Sequence, residues 1–125
     1  MNCLLDTHVF LWMIGDPERL SPEAREVIRN PEHIVRVSAV SAVEIAIKRS
    51  LGKLTAPAGL AREIGRRGLL ELPFQYVHGE RMQDLPPHHQ DPFDRMLVAQ
   101  ALHENLTLIT HDRKFAPYRA KILWT

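Results

Sequence analysis

Four acidic residues spread along this sequence have the side chains and the spacing to do chemistry: Asp6, Glu44, Asp94 and Asp112. Asp6 and Asp112 each follow a short apolar run typical of a strand, whereas Glu44 and Asp94 stand near the start of helical patterns. Carboxylates that share one pocket repel each other, so their pKa values rise unless a bound cation compensates them. All-oxygen ligands favour Mg²⁺, with Mn²⁺ as a substitute, over Zn²⁺. The four acids therefore predict a magnesium site.

Asp6 and Asp112 also have simpler structural explanations when each is taken alone. Asp6 could cap the helix that follows it, because aspartate is a favoured cap. Asp112 precedes Arg113 and Lys114 and could form a weak surface ion pair. Both acids nevertheless stand just past predicted strand ends, where they would share one edge of a parallel sheet, and this position predicts a site.

Glu44 has two such explanations, a capping box that begins at Ser41 and an i,i+4 ion pair with Lys48. Against them, the helix predicted from Ser41 to about Leu51 is apolar on two sides, which predicts burial on both and a confined position for Glu44. The two apolar stripes consist of Val43, Ile47 and Leu51, and of Ala42, Ile45 and Ala46.

Asp91 and Asp94 open the strongest helical pattern of the chain. Asp91 precedes Pro92 and is typical of a helix cap, so we leave it outside the predicted site. Asp94 projects between Leu97 and Val98 on a helix that is apolar around most of its circumference. A lone ionised carboxylate there would be costly, which makes a nearby cation the expected solution.

The order of these patterns predicts a single α/β domain over residues 1–125, with a central, mainly parallel sheet of about four to five strands and helices on both faces. In such sheets, ligands bind outside the carboxyl ends of the strands. Strands are predicted over residues 2–5, 33–38, 69–72, 106–110 and 121–124, and helices over residues 9–14, 22–30, 41–51, 57–67, 74–82 and 91–103.

Composition narrows the classes of protein that the chain can be. With 125 residues, 25% charged and 45% hydrophobic, it has the balance of an ordinary globular domain. The net charge of +1 argues against a protein that coats nucleic acid by bulk electrostatics. The single cysteine, Cys3, lies in an apolar run and is expected to be buried. No membrane span or signal segment is predicted, so we expect a cytoplasmic protein.

Several segments, in this order, resemble the PIN-domain nucleases, specifically the VapC-like toxins of bacterial type II toxin–antitoxin pairs. The most specific is His89-Gln90-Asp91-Pro92-Phe93-Asp94-Arg95-Met96-Leu97-Val98-Ala99-Gln100-Ala101. The others are Leu4-Leu5-Asp6-Thr7-His8 with Leu11-Trp12, the run from Ser38 to Lys48, Gly52-Lys53-Leu54, Leu85-Pro86 and Leu108-Ile109-Thr110-His111-Asp112. The resemblance covers nearly the whole chain.

The resemblance implies a PIN-like fold and a magnesium-dependent endoribonuclease that hydrolyses RNA phosphodiester bonds. It carries over Asp6, Glu44, Asp94 and Asp112 as the catalytic, metal-binding quartet, with Asp6 and Asp94 as direct ligands. Thr7 and Thr110 would orient them. It also implies a homodimer, and a cognate antitoxin that inserts a basic side chain into the acidic site.

Two other kinds of function use similar features. A phosphoacceptor receiver domain also has an α/β sheet and an acidic magnesium pocket, but it needs adjacent acids after the first strand and an aspartate near mid-chain, and residues 45–70 contain none. A non-catalytic binding module would use the acids only to accept a basic side chain from a partner.

Overall fold

Five parallel strands form one sheet in the computed structural model, which describes residues 1–125. The strands are β1 (Asn2–Leu5), β2 (Ile34–Ser38), β3 (Leu70–Leu72), β4 (Thr107–Thr110) and β5 (Lys121–Trp124). Their order across the sheet is β3-β2-β1-β4-β5. The predicted α/β class is confirmed, and the sheet is parallel throughout.

Six helices connect the strands, and each predicted helix is present. They are α1 (Thr7–Gly15), α2 (Pro22–Arg29), α3 (Ala39–Ser50), α4 (Leu60–Arg66), α5 (Tyr76–Arg81) and α6 (Pro92–His103). The helix predicted from residue 57 starts only at Leu60, since Gly59 before it adopts a left-handed conformation with φ of 76°. None of the helices is long and apolar enough to cross a membrane.

The sheet separates two hydrophobic cores, because successive side chains of a strand point to opposite faces. Cys3 and Leu5 face a core built with α1 and α2, whereas Leu4 faces a core built with α6. All three side chains are fully buried, which confirms the prediction for Cys3. Helices therefore cover both faces, as predicted.

The start of α3 differs from the prediction. Strand β2 runs directly into α3, and the hydroxyl of Ser38 caps the helix by accepting the Val40 N–H (3.0 Å). Ser41 lies inside the helix and forms a hydrogen bond with Thr7 (3.0 Å between hydroxyl oxygens). The helix start predicted at Ser41 is therefore wrong, and the capping box that could have explained Glu44 does not form, because no loop separates the strand from the helix.

The predicted burial of α3 on two sides is also wrong. Val43, Ile47 and Leu51 are 52%, 43% and 62% exposed, and Ala42 and Ala46 are exposed as well. The buried residues are Val40, Ser41, Glu44 and Ile45. Val40 lies one turn before Glu44, and Ser41 lies one turn before Ile45. The four residues therefore form one narrow buried face of the helix, which includes Glu44.

The strand order determines where a ligand can bind. The chain moves outward from β1 through β2 to β3, and then returns to place β4 on the other side of β1. The connections therefore leave β1 and β4 in opposite directions, which opens a crevice at their carboxyl ends. Asp6 directly follows β1, and Asp112 comes two residues after β4.

Ser38 links the end of β2 to both α3 and α6, and its replacement should lower the stability of the fold. Besides capping α3, its hydroxyl donates to Oε1 of the fully buried Gln100 (2.5 Å). Ser38→Ala leaves that acceptor without its partner and should lower the free energy of unfolding by about 1–3 kcal/mol in urea titrations. The exposed Ser50→Ala should change it by less than about 0.5 kcal/mol. Equal effects would contradict this role of Ser38.

Candidate active site

Asp6 occupies the N-cap position of α1, but its side chain makes no capping hydrogen bond. Its Oδ2 instead accepts the hydroxyl of Thr110 at the end of β4 (2.7 Å). Burial raises the pKa of Asp6, the Thr110 hydrogen bond and His8 oppose that rise, and the charge of Glu44 adds to it. The predicted alternative role as a helix cap is therefore not realised, and Asp6 faces the crevice between β1 and β4.

Glu44 points into the same region from α3 and is buried. Its Oε1 accepts the hydroxyl of Thr7 (2.6 Å), and its Oε2 accepts Nζ of Lys48 (2.5 Å). The predicted ion pair with Lys48 is thus present. It is not a surface pair, since only 3% of the Glu44 side chain and 27% of the Lys48 side chain are exposed.

Lys48 brings a positive charge into this acidic region. Its Nζ also lies 4.0 Å from Oδ2 of Asp91. Burial opposes the charge of Lys48, but the hydrogen bond and charge of Glu44, together with the charges of Asp91 and Asp94, raise its pKa. Lys48 is therefore a fixed cation of the site, a role that its sequence position beside Arg49 did not reveal.

Asp91 and Asp94 divide two tasks at the start of α6. Oδ1 of Asp91 accepts the N–H groups of Phe93 (2.8 Å) and Asp94 (3.3 Å), which confirms the predicted cap. The side chain of Asp94 is buried, and burial together with the charges of the neighbouring carboxylates raises its pKa to about 8. These neighbours are Asp6, Asp91, Glu44 and Asp112.

Asp112 follows β4 and is fixed by local hydrogen bonds. Its N–H donates to the Thr110 hydroxyl (3.0 Å), and its Oδ1 accepts the N–H of Lys114 (2.9 Å). Its Oδ2 lies 3.4 Å from Nε2 of His89. The alternative explanation, a surface ion pair with Arg113 or Lys114, is not realised, because the Asp112 side chain turns inward toward His89.

His89 is a site residue that the sequence reasoning missed. Its Nε2 lies 2.9 Å from Oδ2 of Asp94, and the side chain is 7% exposed. Ligand atoms of His89, Asp94 and Asp112 all lie within 4.8 Å of one another. The only available signal was its place two residues before the capping Asp91, which directs its ring toward the first turn of α6.

The structure thus brings all four predicted acids to one edge of the sheet, around Asp94. Asp6 and Glu44 lie outside the tightest group but are close enough for their charges to raise the pKa of Asp94. The four acids together supply excess negative charge and oxygen ligands, which hard divalent cations such as Mg²⁺ prefer. The donor set therefore fits a metal of this kind.

A shallow pocket beside the acids carries aromatic and cationic groups. It is lined by Asp6, His8, Trp12, His111, Asp112 and Arg113. The indole of Trp12 forms a T-shaped contact with the ring of His111 (ring centroids 5.5 Å apart), and the guanidinium of Arg19 lies 4.4 Å from the centre of the indole ring. Such groups can contact the bases and phosphates of a single-stranded nucleic acid.

The chain and its fold have known counterparts. A family model described as PIN domain matches residues 3–121 of the chain. The chain therefore belongs to the PIN-domain family.

Individual relatives place the chain near one branch of this family. It is 28% identical to Ribonuclease VapC22 of Mycobacterium tuberculosis (strain ATCC 25618 / H37Rv) over 123 residues, which cover 93% of this chain and 91% of the relative. The fold is similar to that of VapBC2 from Rickettsia felis bound to a promoter DNA fragment (TM-score 0.71, 17% identity, 98% of each chain). It is also similar to that of VapBC-5 from M. tuberculosis (TM-score 0.59, 19% identity, 99% and 98% of the two chains). The resemblance stated from the sequence is confirmed.

The raised pKa of Asp94 predicts how the stability of the metal-free protein depends on pH. Folded Asp94 holds its proton up to about pH 8, whereas unfolded aspartate loses it near pH 4. Between these values the folded state binds more protons, so the free energy of unfolding contributed by Asp94 falls as pH rises and levels off above pH 8.

The measurement is urea unfolding in EDTA from about pH 5 to 9, with Asp94→Asn compared to the unchanged protein. The free energy of unfolding of the unchanged protein minus that of Asp94→Asn should decrease as the pH rises. Asp84→Asn, which alters an exposed acid, should show a constant difference. A constant difference for Asp94→Asn would contradict the raised pKa.

Proposed function

We propose that the chain is a metal-dependent endoribonuclease and the toxin of a toxin–antitoxin pair. The observation that carries the proposal is the convergence of Asp6, Glu44, Asp94 and Asp112 on one crevice, with a pKa of about 8 for Asp94. A site with this charge is best compensated by a divalent cation. The ribonuclease name of a relative that covers 93% of the chain supports RNA as the substrate.

In this proposal the four acids hold Mg²⁺, or Mn²⁺ in its place, with Asp6 and Asp94 as direct ligands. A bound metal lowers the pKa of water, stabilises phosphate oxygens and assists the leaving oxygen. Thr110 orients Asp6, and Thr7 orients Glu44, through the hydrogen bonds described above. Glu44 or Asp112 would position the attacking water and take its proton. No side chain needs to act as a nucleophile.

The pocket with Trp12 and Arg113 is a suitable path for the RNA on either side of the scissile bond. By contrast, two arginines at the end of α4 are less available, because Arg66 and Arg67 both pair with Glu63 (3.0 Å each). We therefore propose local contacts beside the acids rather than a broad basic surface, which agrees with the net charge of +1. We also propose that the protein acts in the cytoplasm.

The first test replaces the proposed metal ligands. Asp6→Asn and Asp94→Asn should each lower the rate of RNA cleavage in Mg²⁺ by more than about 100-fold, since a lost ligand should cost more than the 10–100-fold typical of an outer partner. Both variants should keep the circular dichroism spectrum of the parent. The exposed Asp84→Asn should cleave normally.

Metal removal belongs to the same assay. EDTA should abolish cleavage by the unchanged protein, and excess Mg²⁺ or Mn²⁺ should restore it. Full turnover by either ligand variant, or cleavage that resists EDTA, would refute the metal-dependent mechanism. Absence of cleavage on every RNA tested, with normal metal binding, would favour the non-catalytic binding module.

A receiver domain is disfavoured by a specific observation. The sheet order β3-β2-β1-β4-β5 differs from the order 2-1-3-4-5 of receiver-like folds. Lack of labelling by a small phosphodonor is the expected result.

We further propose that an antitoxin covers the site and that the toxin forms a homodimer. A groove of about 270 Å³ between α3 and α4 is lined mainly by apolar residues, including Ala42, Ile45, Ala46 and Ile64. A peptide chain could follow this groove toward the acids and add a basic side chain to them. The solved structures of VapBC complexes with the same fold support a protein partner of this kind.

Filling the groove should separate inhibition from catalysis. Ala46→Trp changes an exposed groove residue and should weaken binding of the proposed antitoxin by at least about tenfold, or roughly 1.4 kcal/mol, by calorimetry. RNA cleavage by this variant should persist in the presence of antitoxin. Ser50→Trp, on the same helix outside the groove, should remain inhibited. Equal inhibition of both variants would exclude the groove as the antitoxin-binding site. Light scattering of the purified protein would separately test the proposed homodimer.

A further inference from the structure

His89 is held in place from several directions, although it lies in the loop before α6. Its N–H donates to the hydroxyl of Tyr118 (3.0 Å), which is itself buried. Its ring packs against Phe115, with centroids 5.6 Å apart. The backbone bond and the aromatic neighbour hold the ring in place, and the polar groups at its two nitrogens distinguish this orientation from the flipped one, since the Asp91 N–H meets Nδ1 and Oδ2 of Asp112 meets Nε2.

The hydrogen bonds of the ring define its tautomer. The N–H of Asp91 points at Nδ1 of His89 (3.2 Å). A backbone N–H can only donate, so Nδ1 is the acceptor and carries no hydrogen. The neutral ring therefore carries its hydrogen on Nε2, the nitrogen that lies 3.4 Å from Oδ2 of Asp112 and 2.9 Å from Oδ2 of Asp94.

This tautomer decides between two roles for His89. The proximity of His89, Asp94 and Asp112 would by itself suit a metal site with histidine as a ligand. A histidine nitrogen that binds a metal must have a free lone pair, however, and Nε2 is occupied by hydrogen while Nδ1 accepts a backbone N–H. In this arrangement Nε2–H of His89 donates to Oδ2 of Asp112 and lies against Oδ2 of Asp94, so His89 is not a ligand beside them.

We infer that His89 is a positioning residue that links the two acids of the site from different elements. Asp94 belongs to α6 and Asp112 follows β4, and Nε2–H of His89 contacts one oxygen of each. The hydrogen bond fixes Oδ2 of Asp112, and the partial positive charge of Nε2–H, with Nε2 2.9 Å from Oδ2 of Asp94, attracts that oxygen, so that Oδ1 of Asp94 remains for a cation. This inference rests on the proposed metal-dependent function, and it assigns His89 a task within that site.

The first test needs no substitution. Long-range ¹H–¹⁵N correlation spectra of the histidine side chains distinguish the two tautomers. His89 should show hydrogen on Nε2 both without metal and with saturating Mg²⁺. Hydrogen on Nδ1, or loss of the Nε2 hydrogen when Mg²⁺ is added, would overturn the inference and make His89 a metal ligand.

The second test compares substitutions with and without a donor. His89→Leu removes the N–H, whereas His89→Gln keeps an N–H donor at a similar distance along the side chain. In manganese titrations followed by electron paramagnetic resonance, His89→Leu should bind Mn²⁺ about 10–100-fold more weakly, and His89→Gln should recover most of that loss. In RNA cleavage, His89→Leu should lower kcat while KM changes little. His88→Leu, at the exposed neighbouring histidine, should match the parent.

The outcomes separate this inference from the proposed function. If the unchanged protein binds Mn²⁺ and cleaves RNA but His89→Leu behaves like it, the positioning role is wrong and the nuclease stands. If His89→Gln is as impaired as His89→Leu, the donor is not what matters, and the role is again wrong. If the unchanged protein binds no Mn²⁺, the proposed function fails, and the inference with it. Should His89→Leu not fold, the spectra of the unchanged protein and the His89→Gln titration still decide.

Discussion

The arrangement of this protein depends on one constraint: carboxylates are held close together where little water can screen them. Burial of Asp94, together with the nearby charges of four other carboxylates, raises its pKa to about 8. These carboxylates are Asp6, Asp91, Glu44 and Asp112. Hydroxyl groups supply part of the compensation, since Thr110 donates to Asp6 and Thr7 donates to Glu44. Because a fold does not retain such repulsion without a gain elsewhere, the constraint points to a function that uses negative charge.

The parallel sheet is what makes this constraint attainable. Strands β1 and β4 pair side by side, and the N–H of Asp6 bonds to the carbonyl of Ile109 (3.0 Å), so the two chain segments that carry acids leave the sheet together. Two rigid helices then supply the other acids. Helix α6 presents Asp94 in its first turn, and α3 presents Glu44 on its only buried face. The acids are thus fixed by backbone elements that pack into the two cores, which limits how far they can move apart.

The fold and the convergence of the four acids could be predicted from the sequence because both depend on patterns that are local or alternate along the chain. Strand and helix periodicity gave the α/β class, and proline and aspartate marked the start of α6 correctly. The start of α3 was misplaced because Ser38 and Ser41 are both good caps, and only tertiary contacts select Ser38. A residue that acts through distant partners, such as His89, carried only a weak local signal. His89 meets Asp112 across 23 positions of sequence, and its tautomer depends on how the loop before α6 folds.

The distribution of hydrogen bonds also indicates which acids need a cation most. Glu44 already has Lys48 on Oε2 and Thr7 on Oε1, and Asp91 uses Oδ1 to cap α6 while its Oδ2 faces Lys48. Asp6, Asp94 and Asp112 have only hydroxyl, imidazole or backbone donors, which carry partial rather than full positive charge. Since a carboxylate paired with a full charge gains less from a metal than one without, the need for a cation is greatest on the Asp6, Asp94 and Asp112 side. Among the four acids of the proposed metal site, Glu44 is therefore the one whose charge the protein already balances, through the ammonium group of Lys48.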